Sequence, residues 1–161
     1  MTKIAINGIG RIGKLVLKLL IQNKYDIKYL NEINGDTKSL IHSLEFDSIH
    51  GKWDGCFELQ NDSIKINNKE IKTTFFSNIE DLDLDDIDLV IDCTGKYKKT
   101  LKLQKYFDKG IKKIIVSAPI NEDNVVNIAY GVNHNIYKPK EHKIITGASC
   151  TTNCIAPIIK V

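Results

Sequence analysis

Short apolar runs alternate with longer helical patterns along most of the chain. "KIAIN" at 3–7 reads as a buried strand and passes directly into "GIGRIG" at 8–13. In "KLVLKLLIQN" at 14–23, Leu15, Val16, Leu17, Leu19 and Leu20, punctuated by Lys14 and Lys18, predict a mostly apolar helix. "DIKYLN" at 26–31 is a second strand, and "DTKSLIHSLEF" at 36–46 a second helix with Asp36 as its N-cap. Between 51 and 76 the pattern changes: "CFELQ", "SIKI" and "IKTTFF" are β-type runs broken by "ND" and "NNK", which predicts an antiparallel meander of hairpins. The acidic "DLDLDDID" at 81–88 reads as a solvated loop or helix turn. "DLVIDCTG" at 88–95 then gives a strand ending in a polar turn, and "KKTLKLQKYFDKG" at 98–110 an amphipathic helix closed by Gly110. "KKIIVSAP" at 112–119, "VNIAYGV" at 126–132 and "HKIITGAS" at 142–149 supply three more strands.

Strand and helix in alternation predict an α/β fold: a doubly wound, mostly parallel sheet with helices on both faces and a small antiparallel meander. No internal repeat or linker interrupts it. The last segment, "CTTNCIAPIIKV", starts like a helix and carries no stop signal, so a domain junction severed at Val161 is expected. Composition adds bounds rather than detail. At 161 residues, 42% hydrophobic and 27% charged, the chain has the make-up of an ordinary globular domain. A net charge of +3, with lysines interleaved among aspartates, is too mild to indicate nucleic acid. "KGIKK" at 109–113 is the densest basic cluster and reads as a solvated helix end. No stretch reaches the roughly 18–20 apolar residues of a membrane span, and the N-terminus lacks a signal-peptide pattern. A cytoplasmic location is therefore expected. Cys56, Cys93, Cys150 and Cys154 are too sparse for a disulfide scaffold, which makes reduced thiols the default.

Gly8, Gly10 and Gly13 match G-x-G-x-x-G in the context that gives the pattern meaning: it follows a strand, opens a helix, and precedes an acidic residue, Glu32, by nineteen positions. The first glycine allows the tight turn, the second lets backbone amides approach a pyrophosphate, and the third lets helix and strand pack closely. The free N–H groups and partial positive charge of the helix start suit a diphosphate. Glu32, at the end of the second strand, is placed to accept hydrogen bonds from an adenosine ribose. A carboxylate there repels a 2′-phosphate, so NAD is the expected cofactor rather than NADP.

"GASCTTNC" at 147–154 admits several readings. A metal site needs about four ligands, and C-x₃-C with His134 and His142 in another segment lacks such spacing, so no metal is expected. A disulfide is disfavoured by compartment, and two buried bystander thiols remain open. The reading with most chemistry is a nucleophile. Cys150 falls where a strand turns into a helix, and a helix N-terminus favours thiolate over thiol. Ser149 and Thr151 flank it with hydroxyls able to hold an oxyanion or a phosphate, while Cys154, one turn on, is expected to face into the packing. A thiolate beside a nicotinamide pocket suits attack on an aldehyde, hydride loss and a thioester.

"INGIGRIGK", "FDSIHGKW", "DCTGKY", "GIKKIIVSAP", "YGVNHNIY" and "GASCTTNCIAPIIKV" occur in an order that resembles the N-terminal half of phosphorylating glyceraldehyde-3-phosphate dehydrogenases, from Lys3 to Val161. The resemblance implies a Rossmann-type NAD-binding domain over 1–148 and the first helix of a catalytic domain over 149–161. It implies that Gly8, Gly10, Arg11, Ile12 and Gly13 surround the NAD pyrophosphate, that Glu32 serves the ribose with Asn31 before it in the cofactor site, and that Thr94, Gly95 and Ser117 continue the cleft. Cys150 is the implied nucleophile, with Ser149 and Thr151 on substrate or inorganic phosphate. Glyceraldehyde 3-phosphate is the implied substrate, and a homotetramer the implied assembly of the complete enzyme.

The family's general-base His and its phosphate-binding Arg and Thr lie in a second domain and have no counterpart here. None of His42, His50, His134 and His142 falls in a matching motif, and His50 is expected to be structural. Ser77 stands where many members carry an Arg on the adenine side, and Gly147 where Asn is common. The loop 31–39 is one residue longer than in glycolytic members and is similar to a branch associated with arsenate resistance. Two alternatives accompany this reading: a tetrose-phosphate dehydrogenase, in which water attacks the thioester, and a stand-alone NAD-binding module without turnover.

Overall fold

A computed structural model describes residues Met1–Val161. β1 (Lys3–Asn7) leads into α1 (Arg11–Gln22) and β2 (Asp26–Asn31), followed by α2 (Thr37–Glu45). A small antiparallel pair, β3 (Phe46–Asp47) and β4 (Gly51–Lys52), precedes β5 (Phe57–Leu59), β6 (Ser63–Ile66) and β7 (Lys69–Thr74). β8 (Leu89–Asp92), α3 (Thr100–Asp108), β9 (Lys113–Val116), β10 (Val125–Asn127), β11 (Ile144–Thr146) and α4 (Cys150–Lys160) complete the chain. Nine strands form one sheet in the order β10-β11-β9-β8-β1-β2-β7-β6-β5. From β10 to β7 every pairing is parallel, and only β6 runs the other way, antiparallel to both β7 and β5. This is the doubly wound Rossmann-like architecture. No helix is long and apolar enough to cross a membrane.

Alternation along β1 decides how the two faces are filled. Ile4 and Ile6 join Leu17 and Ile21 of α1, Leu40 and Leu44 of α2, and Ile64 and Ile71 on one face. Ala5 faces the other way, with Val90 and Ile114 of neighbouring strands and Leu103 and Tyr106 of α3. Residues spaced four apart on α1 and α2 therefore supply one layer, and α3 the other. Asp36 caps α2 as its sequence indicates, in a reciprocal box with Ser39: the Ser39 N–H donates to the Asp36 carboxylate and the Asp36 N–H donates to Ser39 Oγ, each at 2.8 Å.

Several elements differ from their sequence expectation, each for a physical reason. α1 begins at Arg11 rather than at 14, because the glycine turn ends at Gly10. The meander is not a separate unit: β7 pairs in parallel with β2, so the hairpins extend the main sheet. The acidic stretch 81–88 is not simply solvated, since Leu82, Leu84 and Ile87 are buried in the α3-side core while the intervening aspartates face outward. The strand expected over 126–132 stops at Asn127. There the Asn127 and Asn133 side chains bond backbone groups at Ile120, Asn127 and Ala129 in place of a ladder.

Candidate cofactor cleft and thiol site

The chain runs from β1 outward to β2 and β7, then returns to the other side of β1 as β8. That reversal leaves a crevice at the carboxyl ends of β1 and β8, where open α/β sheets take their ligands. Gly8 and Thr94 meet there. Gly8 has φ +88°, and a Cβ on it would lie 2.8 Å from the Thr94 nitrogen. Gly13 is buried, and a Cβ on it would lie 1.9 Å from the Gly8 carbonyl oxygen. A Cβ on Gly10 would meet nothing within 4 Å. The first and third glycines are thus consumed by packing, and the second faces open space.

α1 starts at this opening with Gly10 as N-cap, no side-chain cap and no acidic residue in its first turn. Its first N–H groups keep their partial positive charge for an anion. Glu32 stands opposite, at the end of β2 and half-buried. Its Oε2 accepts from the Ile9 N–H at 2.7 Å and its Oε1 from the Asn34 N–H at 3.2 Å. Each carboxylate oxygen keeps a free lone pair, so the side chain orders the glycine loop and still has capacity for hydroxyl donors.

Gly8, Gly10, Asn31, Glu32 and Thr94 line one cavity of about 240 Å³ with Asn7, Ile33, Phe76, Ser77, Cys93, Lys96 and Tyr97. Two larger depressions of about 820 Å³ lie away from it. They are flanked by residues at the starts of β8, β9 and β11, the wrong edge of the sheet for this kind of site. Of the other sequence-derived cleft residues, Arg11 and Ile12 are exposed on the first turn of α1, Gly95 follows Thr94 with φ +67°, and Ser117 follows β9 beside β8. None of these four lines the cavity itself. Lys96, unremarked in the sequence, donates from Nζ to the Ser77 carbonyl at 3.2 Å, so a lysine head group comes to the stretch where many members carry an Arg. Burial and the neighbouring Asp92 push the Cys93 thiol up to about 12, against a hydrogen bond with Ser117. Cys93 stays protonated despite lining the cleft.

β11 ends on the same edge of the sheet, with β9 and β8 between it and β1, roughly 14 Å at ordinary strand spacing. The turn after it passes through Ala148 at φ +57°, its N–H donating to Thr146 Oγ1 at 3.1 Å. α4 follows, with Ser149 as N-cap and Cys150 as its first residue. Ser149 Oγ accepts from the Thr152 N–H at 3.0 Å and contacts Thr152 Oγ1 at 2.8 Å, so that hydroxyl is already engaged in capping. Asn153 Nδ2 donates to the Gly147 and Ser149 carbonyls at 2.7 and 2.9 Å, tying the turn to the helix. Cys150 and Thr151 are exposed. Cys154 is exposed too, which corrects the expectation that it faces into packing: no residue of α4 is buried. His50 lies on the β3–β4 turn, exposed, its N–H donating to Asp47 Oδ1 at 2.7 Å.

A glycine turn opening a helix at the sheet's reversal, with a carboxylate on the adjacent strand, defines a dinucleotide-binding domain. A family model described as the NAD binding domain of glyceraldehyde 3-phosphate dehydrogenase matches residues 2–100. Over 99% of its length the chain is 37% identical to glyceraldehyde-3-phosphate dehydrogenase 3 of Nostoc sp., covering 48% of that relative. It is 39% identical to the glyceraldehyde-3-phosphate dehydrogenases of Geobacillus stearothermophilus and Thermotoga maritima, covering 48% and 49% of them. The chain belongs to the glyceraldehyde-3-phosphate dehydrogenase family and carries its NAD-binding domain. It spans about half the length of the curated relatives it matches.

Proposed function

We propose that this chain supplies the cofactor cleft and the nucleophile of an NAD-dependent enzyme that oxidises glyceraldehyde 3-phosphate and phosphorylates the product to 1,3-bisphosphoglycerate. The observation that carries the reading is the placement of Cys150 at a helix start on the sheet edge that also holds the glycine turn. Residues 1–148 form the cofactor domain in this reading, and 149–161 begin a second domain that contributes the general base. Gly8, Gly10, Arg11, Ile12 and Gly13 would surround the pyrophosphate. Glu32 would hold the ribose, with Asn31 before it fixing the end of β2 through Asn7, Thr74 and Phe76, and Thr94, Gly95 and Ser117 would extend the cleft toward the thiol.

When bound, NAD supplies the hydride acceptor. The Cys150 thiolate adds to the aldehyde carbon, forming a C–S bond and a thiohemiacetal. Loss of the hydride and of the hydroxyl proton leaves a thioester on sulfur. A phosphate oxygen then attacks the thioester carbonyl, the C–S bond breaks, and the thiolate returns. Ser149 and Thr151 would contact the attacking phosphate, with Ser149 dividing its hydroxyl between cap and ligand. The complete enzyme would be a homotetramer.

The last step run in reverse tests the nucleophile without needing the hydride step. Exposed to acetyl phosphate, Cys150 should be acylated at least about tenfold faster than Cys154, which is equally open but one turn away from the helix start. Peptide mass spectrometry reads both sites, and Cys150→Ser should abolish the labelling while NAD affinity stays within about twofold. Equal reaction at Cys154 would sink the assignment.

A further inference from the structure

A line of buried side chains runs beneath the cleft from one wall to the other. At one end the Asp92 carboxylate accepts from the Thr94 N–H at 3.1 Å and the Thr94 hydroxyl at 2.7 Å, which fixes the turn after β8. The Tyr106 hydroxyl donates to the other Asp92 oxygen at 2.7 Å, and Asn7 Nδ2 donates to the Tyr106 oxygen at 2.6 Å. Asn31 Nδ2 donates to Asn7 Oδ1 at 2.8 Å. At the far end Asn31 holds the Phe76 N–H and carbonyl at 2.9 Å each and accepts from the Thr74 hydroxyl at 2.9 Å. Phe76 and Thr94 line opposite sides of the same cavity. Asp92 and Tyr106 are fully buried, and Asn7 and Asn31 nearly so.

The chain has one direction. From Asn31 through Asn7 and Tyr106 each donor points toward Asp92, so every bond in that run polarises the next, and the carboxylate, which can only accept, sets the order. If Asn7 were turned over, its carbonyl oxygen would face the Tyr106 hydroxyl, whose proton is already committed to Asp92. Tyr106 is the one member that comes from a helix, and it does not line the cleft. Its hydroxyl is nevertheless the side-chain bridge between the Asp92 half and the asparagine half, added to the backbone ladder in which Asn7 lies opposite Asp92. Replacing that hydroxyl by hydrogen would leave a buried carboxylate oxygen and a buried amide N–H each without this partner.

We propose that Tyr106 is a positioning residue that locks the two walls of the cofactor cleft to each other. The proposal rests on the cleft being the NAD site, and the test separates the two. In Tyr106→Phe the ring packing against Tyr97 is kept, and the NAD dissociation constant should rise at least about fivefold. Amide hydrogen exchange followed by NMR should accelerate at both Thr94 and Phe76, on the two walls. Ile64→Ala, a buried change on β6 at the far side of the sheet, should lower stability but leave NAD affinity within about twofold and both amides protected.

Acceleration at Thr94 alone, or unchanged NAD affinity in Tyr106→Phe, would overturn the coupling. An equal loss of affinity in Ile64→Ala would do the same, by reducing Tyr106 to a contributor to general stability. Failure of the unaltered chain to bind NAD would instead remove the cleft assignment itself. Asn7→Ser cuts the same line one link further on without touching α3. It carries identical expectations should Tyr106→Phe not fold.

Discussion

Gly10 and Gly13 lie three positions apart in the same turn, yet a methyl group added to each meets opposite circumstances. On Gly13 it would be driven into the Gly8 carbonyl oxygen at 1.9 Å, a backbone atom that cannot swing aside, with the Cys93 Cβ 3.4 Å away. Gly13→Ala should therefore lower stability by about 1–3 kcal/mol, the range for overpacking a tight interior. On Gly10 the methyl meets open space, and φ −72° is comfortable for alanine. Gly10→Ala should leave urea unfolding within about 1 kcal/mol of the parent while weakening NAD markedly, because the space it fills is where the proposed function puts the pyrophosphate. Titration of NAD and urea denaturation on the two variants should give this crossed result; parallel losses in both would contradict the division of labour. These glycines and Glu32 were legible in the sequence because a turn, a helix start and a strand end are local events with fixed spacing. Asp92, Tyr106 and Asn7 were not. Their meeting depends on β8, α3 and β1 being brought together, which no local spacing encodes, although a polar residue closing an otherwise apolar strand, as in "KIAIN" and "LVID", is a trace of it.

Among the elements, the β3–β4 hairpin went unread because two-residue strands leave no periodicity. Asp47 explains why it forms. Its carboxylate pairs with Lys14 on α1 and accepts from the Ile49 and His50 N–H groups at 2.9 and 2.7 Å, clamping the turn to the helix that carries the glycine motif. The Lys14 bond, then the two backbone bonds, hold the Asp47 carboxyl well below its ordinary 3.8. The sign follows directly. A carboxylate whose folded pKa is depressed stabilises the fold above its unfolded pKa and loses that contribution as pH falls toward the folded value. Asp47→Asn should thus be less stable than the parent at neutral pH, and the gap should narrow from about pH 4 downward as the parent's advantage is titrated away. Thermal unfolding at neutral pH and at about pH 3.5 would measure it, and a gap that stays constant would show that the clamp is not electrostatic. The longer elements were legible because their apolar spacing is regular. The meander's membership of the main sheet was not, since hairpin patterns specify antiparallel neighbours but carry no sign of the parallel partner that β7 finds in β2.

At the scale of the whole molecule, stability and the proposed chemistry are housed in different places. Two apolar layers, one against α1 and α2 and one against α3, enclose the sheet and contain nearly all the buried apolar side chains. α4, which begins with Cys150, contributes none of them, and Ile158 and Ile159 are 73% and 78% exposed on it. Its hold on the rest of the chain comes from the turn bonds of Ser149 and Asn153 and from Lys160, whose Nζ donates to the Gly131 and Val132 carbonyls at 2.6 and 3.0 Å. An exposed apolar change usually moves stability by less than about 0.5 kcal/mol, whereas truncating a fully buried leucine costs about 2–5 kcal/mol. Ile158→Ser should therefore leave the unfolding temperature of the chain unaltered, and Leu17→Ala, fully buried on α1, should lower it by many degrees. Hydrogen exchange should agree, with α4 amides exchanging long before those of α1. Comparable unfolding shifts from the two substitutions would mean that α4 packs more tightly than its exposure implies. The helix that presents the thiol would then belong to the same cooperative unit as the cofactor fold.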